Sequence, residues 1–167
     1  FPLDYEIDVR KPDDWKVPDV TQATVHAIFV AAIYDGIARA ARDWLVKFLK
    51  ERVPANLGAP LATLPRMQEV AGGIEARLAV NARLIDSFAS DFDNGFPLSA
   101  IESNIIKLTV TNNAAAVVED ALSLTSNHGL SRTNPLERHY RDVLCGRVHT
   151  PQDDSTRVAA GRFALGV

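Results

Sequence analysis

Residues 19–52 read DVTQATVHAIFVAAIYDGIARAARDWLVKFLKER. Apolar residues recur there at Val25, Ile28, Phe29, Ala32, Ile33, Gly36, Ile37, Ala40, Trp44, Leu45, Phe48 and Leu49. That is the i, i+3, i+4, i+7 spacing of one helical face. Arg42, Lys47 and Lys50 fall largely off the stripe. Asp19 is placed to cap, with Gln22 at the third helical position, and Pro54 stops the run. The stretch predicts a long helix over 20–52. Its most apolar part, 27–41, is interrupted by Asp35 and Arg39 and reads as too short and too polar to span a bilayer.

The same periodicity continues downstream. Residues 53–62 read as a loop. Thr63 is placed to cap a second helix with Pro65 in its first turn. Met67, Val70, Ala71, Ile74, Leu78, Ile85 and Phe88 form its stripe, and it ends near Asp91, before Asn94-Gly95. Ser99 and Glu102 have capping-box spacing and open a third helix. Its seam is Leu98, Ile101, Ile105, Leu108, Asn112, Ala115 and Leu122; it runs to about Asn127, with Gly129 placed to terminate it. Asn134-Pro135-Leu136-Glu137 starts a fourth helix, to about His149. Thr150-Pro151-Gln152-Asp153 starts a fifth, to about Leu165. No stretch reads as a hairpin or a βαβ unit. The fold class is all-α: an antiparallel up-down helical bundle of three long and two shorter helices, with an extended N-terminal arm.

The arm is residues 1–18, punctuated by Pro2, Pro12 and Pro18. Within it Tyr5, Ile7 and Val9 alternate with Glu6, Asp8 and Arg10, the pattern of a half-buried strand. No partner strand is visible in the rest of the sequence. The expectation is therefore that 1–18 are the tail of a β-domain lying upstream and that 19–167 form the helical bundle domain. A plain extended arm is the alternative.

With 167 residues, 47% hydrophobic and 23% charged, the composition is that of one globular domain and excludes general disorder. A net charge of −3 argues against a nucleic-acid partner. Cys145 is the only cysteine, so no intrachain disulfide forms. That suits a reducing compartment, and with no signal peptide visible a cytoplasmic location is expected, without a membrane partner.

Several clusters carry candidate chemistry. Cys145 and His149 are four residues apart, on one face of the fourth helix. They suggest a metal pair or a thiol nucleophile, but two ligands do not make a site and no metal is expected. Asp13-Asp14 and Asp153-Asp154 suit a cation or, more simply, a loop and a helix first turn. Asn112 falls on the apolar seam, where it either sets register by a core hydrogen bond or meets a ligand. Arg132, Arg138, Arg141 and Arg147 crowd one region. Glu137–Arg141 and Arg138–Asp142 pairing accounts for two of them, and the surplus suits phosphates. There is no GxGxxG or P-loop cradle. His149, at the end of the fourth helix, is a structural residue or a donor to a cofactor ring.

The run Ser126-Asn127-His128-Gly129-Leu130-Ser131-Arg132-Thr133-Asn134-Pro135-Leu136-Glu137-Arg138-His139-Tyr140-Arg141-Asp142 resembles the acyl-CoA dehydrogenase superfamily. The C-terminal helical domain of that superfamily carries a GGNGY-then-PxERxYRD pattern. The Ala31–Ala40 stretch of the first helix also resembles the family's G-x-A element. The likeness covers about residues 19–165. It implies a flavoprotein oxidoreductase with FAD (or FMN), a middle β-domain upstream, and a homo-oligomer, usually a tetramer, whose bundles pack together. It implies flavin binding and oligomerisation as this domain's contribution, an acyl-CoA as substrate, and no activity for the fragment alone.

Departures from the pattern bear on mechanism. Of the glycine-rich loop that approaches the adenylate half of the cofactor, only Gly129 is kept; Ser126 and Asn127 replace the paired glycines. The family's Tyr-Glu-Gly-Thr turn, whose Glu is the usual base, is His149-Thr150-Pro151-Gln152 here, and Thr150 cannot remove an α-proton as a carboxylate does. The alternative position for the Glu, on the first helix, is nearest His26. A histidine in this turn resembles the flavin-dependent monooxygenase branch, which acts on small organosulfur or aromatic compounds. Its stretch from an Arg to a His-Thr is matched by Arg141 through His149-Thr150. The resemblance thus implies His149 as the catalytic residue and Gly129, Arg141 and Thr150 as cofactor-binding residues. A non-catalytic oligomerisation module is the alternative of another class.

Overall fold

The computed structural model describes residues 11, 20–97 and 99–167. Apart from Lys11, the expected arm lies outside the described residues, including the alternating segment at Tyr5–Val9 and Asp13-Asp14. Leu98 of the expected third seam lies outside them too.

Three long helices carry the fold: α1 (Val20–Glu51), α2 (Pro65–Asp93) and α3 (Ala100–Thr125). They are followed by α4 (Asn127–Leu130), α5 (Leu136–Leu144) and α6 (Asp153–Leu165), and no strand occurs among the described residues. The all-α class and the three long helices agree with the sequence reading, and α4 is additional. It is separated from α3 by Ser126, whose φ of 52° and ψ of −139° cannot continue a helix. The Ser99 hydroxyl accepts from the Glu102 amide at 3.2 Å and caps α3 as expected. Thr63 does not cap α2. Its hydroxyl donates to the Pro60 carbonyl at 2.8 Å, and Leu64 precedes the helix without a side-chain cap. After α2 the chain turns through Asn94 and Gly95, whose φ of +72° suits a residue without a Cβ.

α3 packs against all five other helices. Val110, Ala114, Ala115, Val117, Val118 and Ala121 bury most of its circumference. Around it lie Tyr34, Ala38, Ala41 and Leu45 of α1, Ile74 and Leu78 of α2, and Leu136 and Val143 of α5. A second, smaller cluster joins Ile28, Ala31, Phe88, Ile106 and Val110.

The buried face of α1 only partly follows the predicted stripe: Ile28, Leu45 and Leu49 of it are buried. Ala27, Ala31, Tyr34, Ala38 and Ala41 are inside, whereas Phe29 and Ile33 are 65% and 60% exposed. Small side chains let α1 approach α3 closely, so close backbone packing outweighs side-chain hydrophobicity in choosing the face. The α3 seam is displaced likewise: Ser103, Lys107 and Thr111 are buried while Ile105 is exposed. The bilayer reading is also corrected, because α1 by length and composition alone is apolar enough to cross a membrane. In the fold part of that apolarity goes into the core just described, while Phe29 and Ile33 stay exposed.

Buried polar groups tie the three long helices. The Asn81 amide donates to Asp35 Oδ1 at 2.9 Å and to the Val110 carbonyl at 3.4 Å, and the Asn113 amide donates to Asn81 Oδ1 at 2.9 Å. Arg39 Nε donates to the other Asp35 oxygen at 2.6 Å, so the buried carboxylate is paired and hydrogen-bonded. Farther along, Arg42 pairs with Glu75 and Arg77 with Asp120. These cross-links join ascending to descending residue numbers. α1 and α2 therefore run antiparallel, as do α2 and α3.

Two stability measurements follow from this packing. Asn81→Ala strands polar groups in the core and should cost about 2–3 kcal/mol, read as a lower urea midpoint. Ser126→Gly puts a glycine where the backbone is strained for serine and should raise stability by about 1 kcal/mol in the same assay.

Candidate functional site

The chain between α5 and α6 forms the most distinctive polar feature of the bundle. The expected fourth helix, to His149, instead ends at Leu144 and passes through one 3-10 turn, Cys145–Arg147. Two constraints bend it there. Gly146 is buried so tightly that a Cβ would lie 3.2 Å from Thr111 and 3.3 Å from the Tyr34 ring. The Gly146 carbonyl does not continue the helix but accepts from Lys107 Nζ at 2.6 Å. The chain then crosses a cis Thr150–Pro151 bond and enters α6 at Asp153.

His149 sits on this turn, exposed, with its Nδ1 2.8 Å from the Tyr34 hydroxyl. The two rings meet edge to face at 5.8 Å. Tyr34 is 4% exposed, and the imidazole is the only hydrogen-bond partner of its hydroxyl among the described residues. Burial pushes the phenol pKa up, and Cys145 and Asp142 add to the shift, so the hydroxyl keeps its proton. The hydroxyl is placed to donate that proton to Nδ1. With the bond in that direction, a neutral imidazole carries its proton at Nε2 and can donate a hydrogen bond outward from there.

The other sequence-predicted residues are dispersed. Thr150 is exposed beside His149 on the turn. Arg141 is exposed on α5, with its Nε 3.0 Å from Glu137, as the spacing suggests; Arg138 and Asp142 form no ion pair among the described residues. Gly129 is buried in α4 and does not terminate α3. A Cβ there would overlap the Thr125 hydroxyl and press on Leu122 at 3.0 Å and Leu136 at 3.3 Å, so close packing favours the glycine. Lys107 meets the His149 turn and Leu122 meets Gly129. The helical rise between them places the two ends of this candidate site about 20 Å apart. His26 is exposed on α1.

Cys145 and His149 do not share a helical face, because the helix stops before them. Cys145 Sγ contacts the Arg141 carbonyl at 3.9 Å while His149 turns to Tyr34. Asn134 does not cap α5; its amide donates to the His128 carbonyl at 2.6 Å. Asn112 makes the inter-helix bond foreseen for it, donating to Asp153 Oδ2 at 2.9 Å and so joining α3 to α6. Asp154 accepts from the Ser155 amide at 2.8 Å. Arg147 lines an open polar groove of about 480 Å³ with Asn112, Gln152, Asp154 and Arg157.

Two residues of this site escaped the sequence reading, Lys107 and Tyr34. Both lie beside the stripe drawn from bulky residues. Lys107 could have been noticed as a lysine with Ser103, Val110 and Thr111 three or four residues away on the same helical face, and Ala100 and Ala114 seven away.

Residues 19–154 match the family model described as acyl-CoA dehydrogenase, C-terminal domain. YdbM of Bacillus subtilis (strain 168), a candidate acyl-CoA dehydrogenase, is 36% identical over 140 residues, 81% of this chain and 37% of its own length. The L-evernosamine nitrososynthase of Micromonospora sp. (strain ATCC 39149 / NRRL 15099 / SCC 1413) is 34% identical over 157 residues, 86% of this chain and 35% of its own. Butyryl-CoA dehydrogenase from Megasphaera elsdenii superposes with a TM-score of 0.80 at 23% identity, covering 87% of this chain and 37% of that one. The chain spans little more than a third of the length of these relatives. The helical fold, the extent of the match and the level of identity agree, and the chain belongs to the acyl-CoA dehydrogenase family as a C-terminal domain.

Proposed function

We propose that this domain is part of a flavin-dependent oxidoreductase and that His149 is the residue through which it acts on the flavin. The observation that carries the reading is the exposed imidazole anchored at Nδ1 by buried Tyr34, in a turn where Thr150 stands in place of a carboxylate. The residues fit one edge of a flat heteroaromatic ring. His149 offers its Nε2 proton, Thr150 adds a hydroxyl, and exposed Val148 adds an apolar surface. When bound, the flavin supplies the two-electron redox chemistry. The domain's part is to hold a proton at His149 Nε2 and to keep that donor oriented.

Acyl-CoA dehydrogenation needs a base for the α-proton, and a histidine protonated at Nε2 and occupied at Nδ1 is a donor. The donor role favours a second reading within the family, an oxygen-using monooxygenase acting on a small molecule. The likeness to a nitrososynthase supports it, since making a nitroso group from an amine adds oxygen to nitrogen. A neutral flavin ring meeting His149 does not reach Gly129 at the same time over about 20 Å. If Gly129 contacts cofactor as well, the cofactor is the longer FAD, or the contact comes from a second subunit. Arg141 and Thr150 complete the proposed cofactor set. A cytoplasmic homo-oligomer, a tetramer by resemblance, is part of the same proposal.

The test uses the full-length gene product. It should be yellow, with the visible spectrum of an oxidised flavin. A colourless product that flavin does not reconstitute would support a non-catalytic oligomerisation module. Bleaching by acyl-CoA thioesters without oxygen would support the dehydrogenase reading. His149→Ala should keep the colour and slow reoxidation of the reduced flavin by oxygen by about 10- to 100-fold. Unchanged reoxidation would remove His149 from the mechanism. Tyr34→Phe should keep the colour too and give a smaller loss, about tenfold, by freeing the imidazole to rotate.

A further inference from the structure

We propose that Lys107 is a positioning residue that holds the 146–151 turn, and with it His149, by saturating its ammonium with three carbonyls of that turn. The inference rests on the assignment of His149 made above.

Lys107 leaves α3 with a side chain that is 0% exposed. Its Nζ donates to the carbonyl of Gly146 at 2.6 Å, of His149 at 3.0 Å and of Pro151 at 2.9 Å. An ammonium has three donors and a neutral amine two, so the three acceptors define the charged form. Burial pushes the lysine pKa down, and Asp153, whose Oδ1 lies 3.8 Å away, pushes it back up. Asp153 is itself held by the Asn112 amide of α3. All three ammonium protons thus go to carbonyls of the turn, and the countercharge at the start of α6 is shared with Arg157, whose Nη2 lies 3.7 Å from Asp153 Oδ2.

Taking a charge out of water is costly even when it is paired and hydrogen-bonded. An apolar side chain would fill the same space without that cost, but it would leave the three carbonyls unpaired. What the lysine adds is a fixed path for the backbone on both sides of His149. Gly146 is pressed against Tyr34 and Thr111, His149 is held by its own carbonyl, and Pro151 leads into α6. With the backbone fixed by Lys107 and Nδ1 by Tyr34, the imidazole is held at two points from two different helices.

The experiment uses the full-length flavoprotein and the variants Lys107→Met, which keeps the volume and removes the donors, and Lys107→Gln, which keeps two donors without charge. Amide exchange in a peptide spanning the 146–151 turn should accelerate in Lys107→Met, less in Lys107→Gln, and stay unchanged in α1 and α2. Flavin reoxidation by oxygen should slow in the same order, by about tenfold or more in Lys107→Met. In a His149→Ala background, Lys107→Met should slow it no further, because its effect passes through His149. A further multiplicative loss in that background would overturn the proposal, since Lys107 would then act by another route. Exchange that rises throughout the bundle, or loss of folded protein in both variants, would overturn it as well, because Lys107 would then support the whole fold. If His149→Ala by itself leaves reoxidation unchanged, the functional reading fails first. The turn exchange then still reports whether Lys107 holds the loop.

Discussion

α3 passes through the middle of the bundle; its threonines bond back to their own helix, while Lys107, Asn112 and Asn113 find partners on neighbouring elements. That pairing places the rest of the molecule. Asn113 reaches Asn81 of α2, which reaches Asp35 of α1. Asn112 reaches Asp153 of α6, and Lys107 reaches the turn between α5 and α6. Apolar burial supplies most of the driving force but is non-directional. The hydrogen bonds from α3 decide which rotation of each neighbour is satisfied.

The same helix explains why the candidate site lies where it does. Gly146 can approach α3 because it has no Cβ, and the Lys107 ammonium then draws three carbonyls inward. A turn pulled in by its backbone leaves the His149 side chain at the surface, where Tyr34 from α1 takes Nδ1. The imidazole is thus exposed yet held. Gly129 shows the contrasting case. It stands in a motif that the family resemblance links to the cofactor, but Thr125, Leu122 and Leu136 fill the space around it.

α1 carries a lesson about amphipathic patterns. Two bulky residues of its predicted stripe, Phe29 and Ile33, stay outside while Tyr34 and several alanines turn inward. A hydrophobic stripe counts side chains, whereas helix packing in a tight bundle rewards close backbone approach. The exposed apolar face that remains belongs to a domain covering little more than a third of the length of its relatives.

The three long helices and most boundaries were legible in the sequence because they depend on local chemistry. Ser99 before Glu102, Pro65 in a first turn and Asn94-Gly95 after a last one act within a few residues of themselves. The PLERHYRD run and its neighbours were legible too, as a family resemblance carried by residue identity. The rotation of α1 and α3, the early end of α5, and the roles of Lys107 and Tyr34 were not. Each depends on a partner far along the chain: Lys107 on residues 39–44 positions later, Tyr34 on one 115 positions later. Local periodicity can say that a segment is helical and which residues are apolar. Only the tertiary structure decided which face turns inward and which polar atoms meet, because a buried polar group is satisfied by its spatial neighbour and no sequence spacing specifies that neighbour.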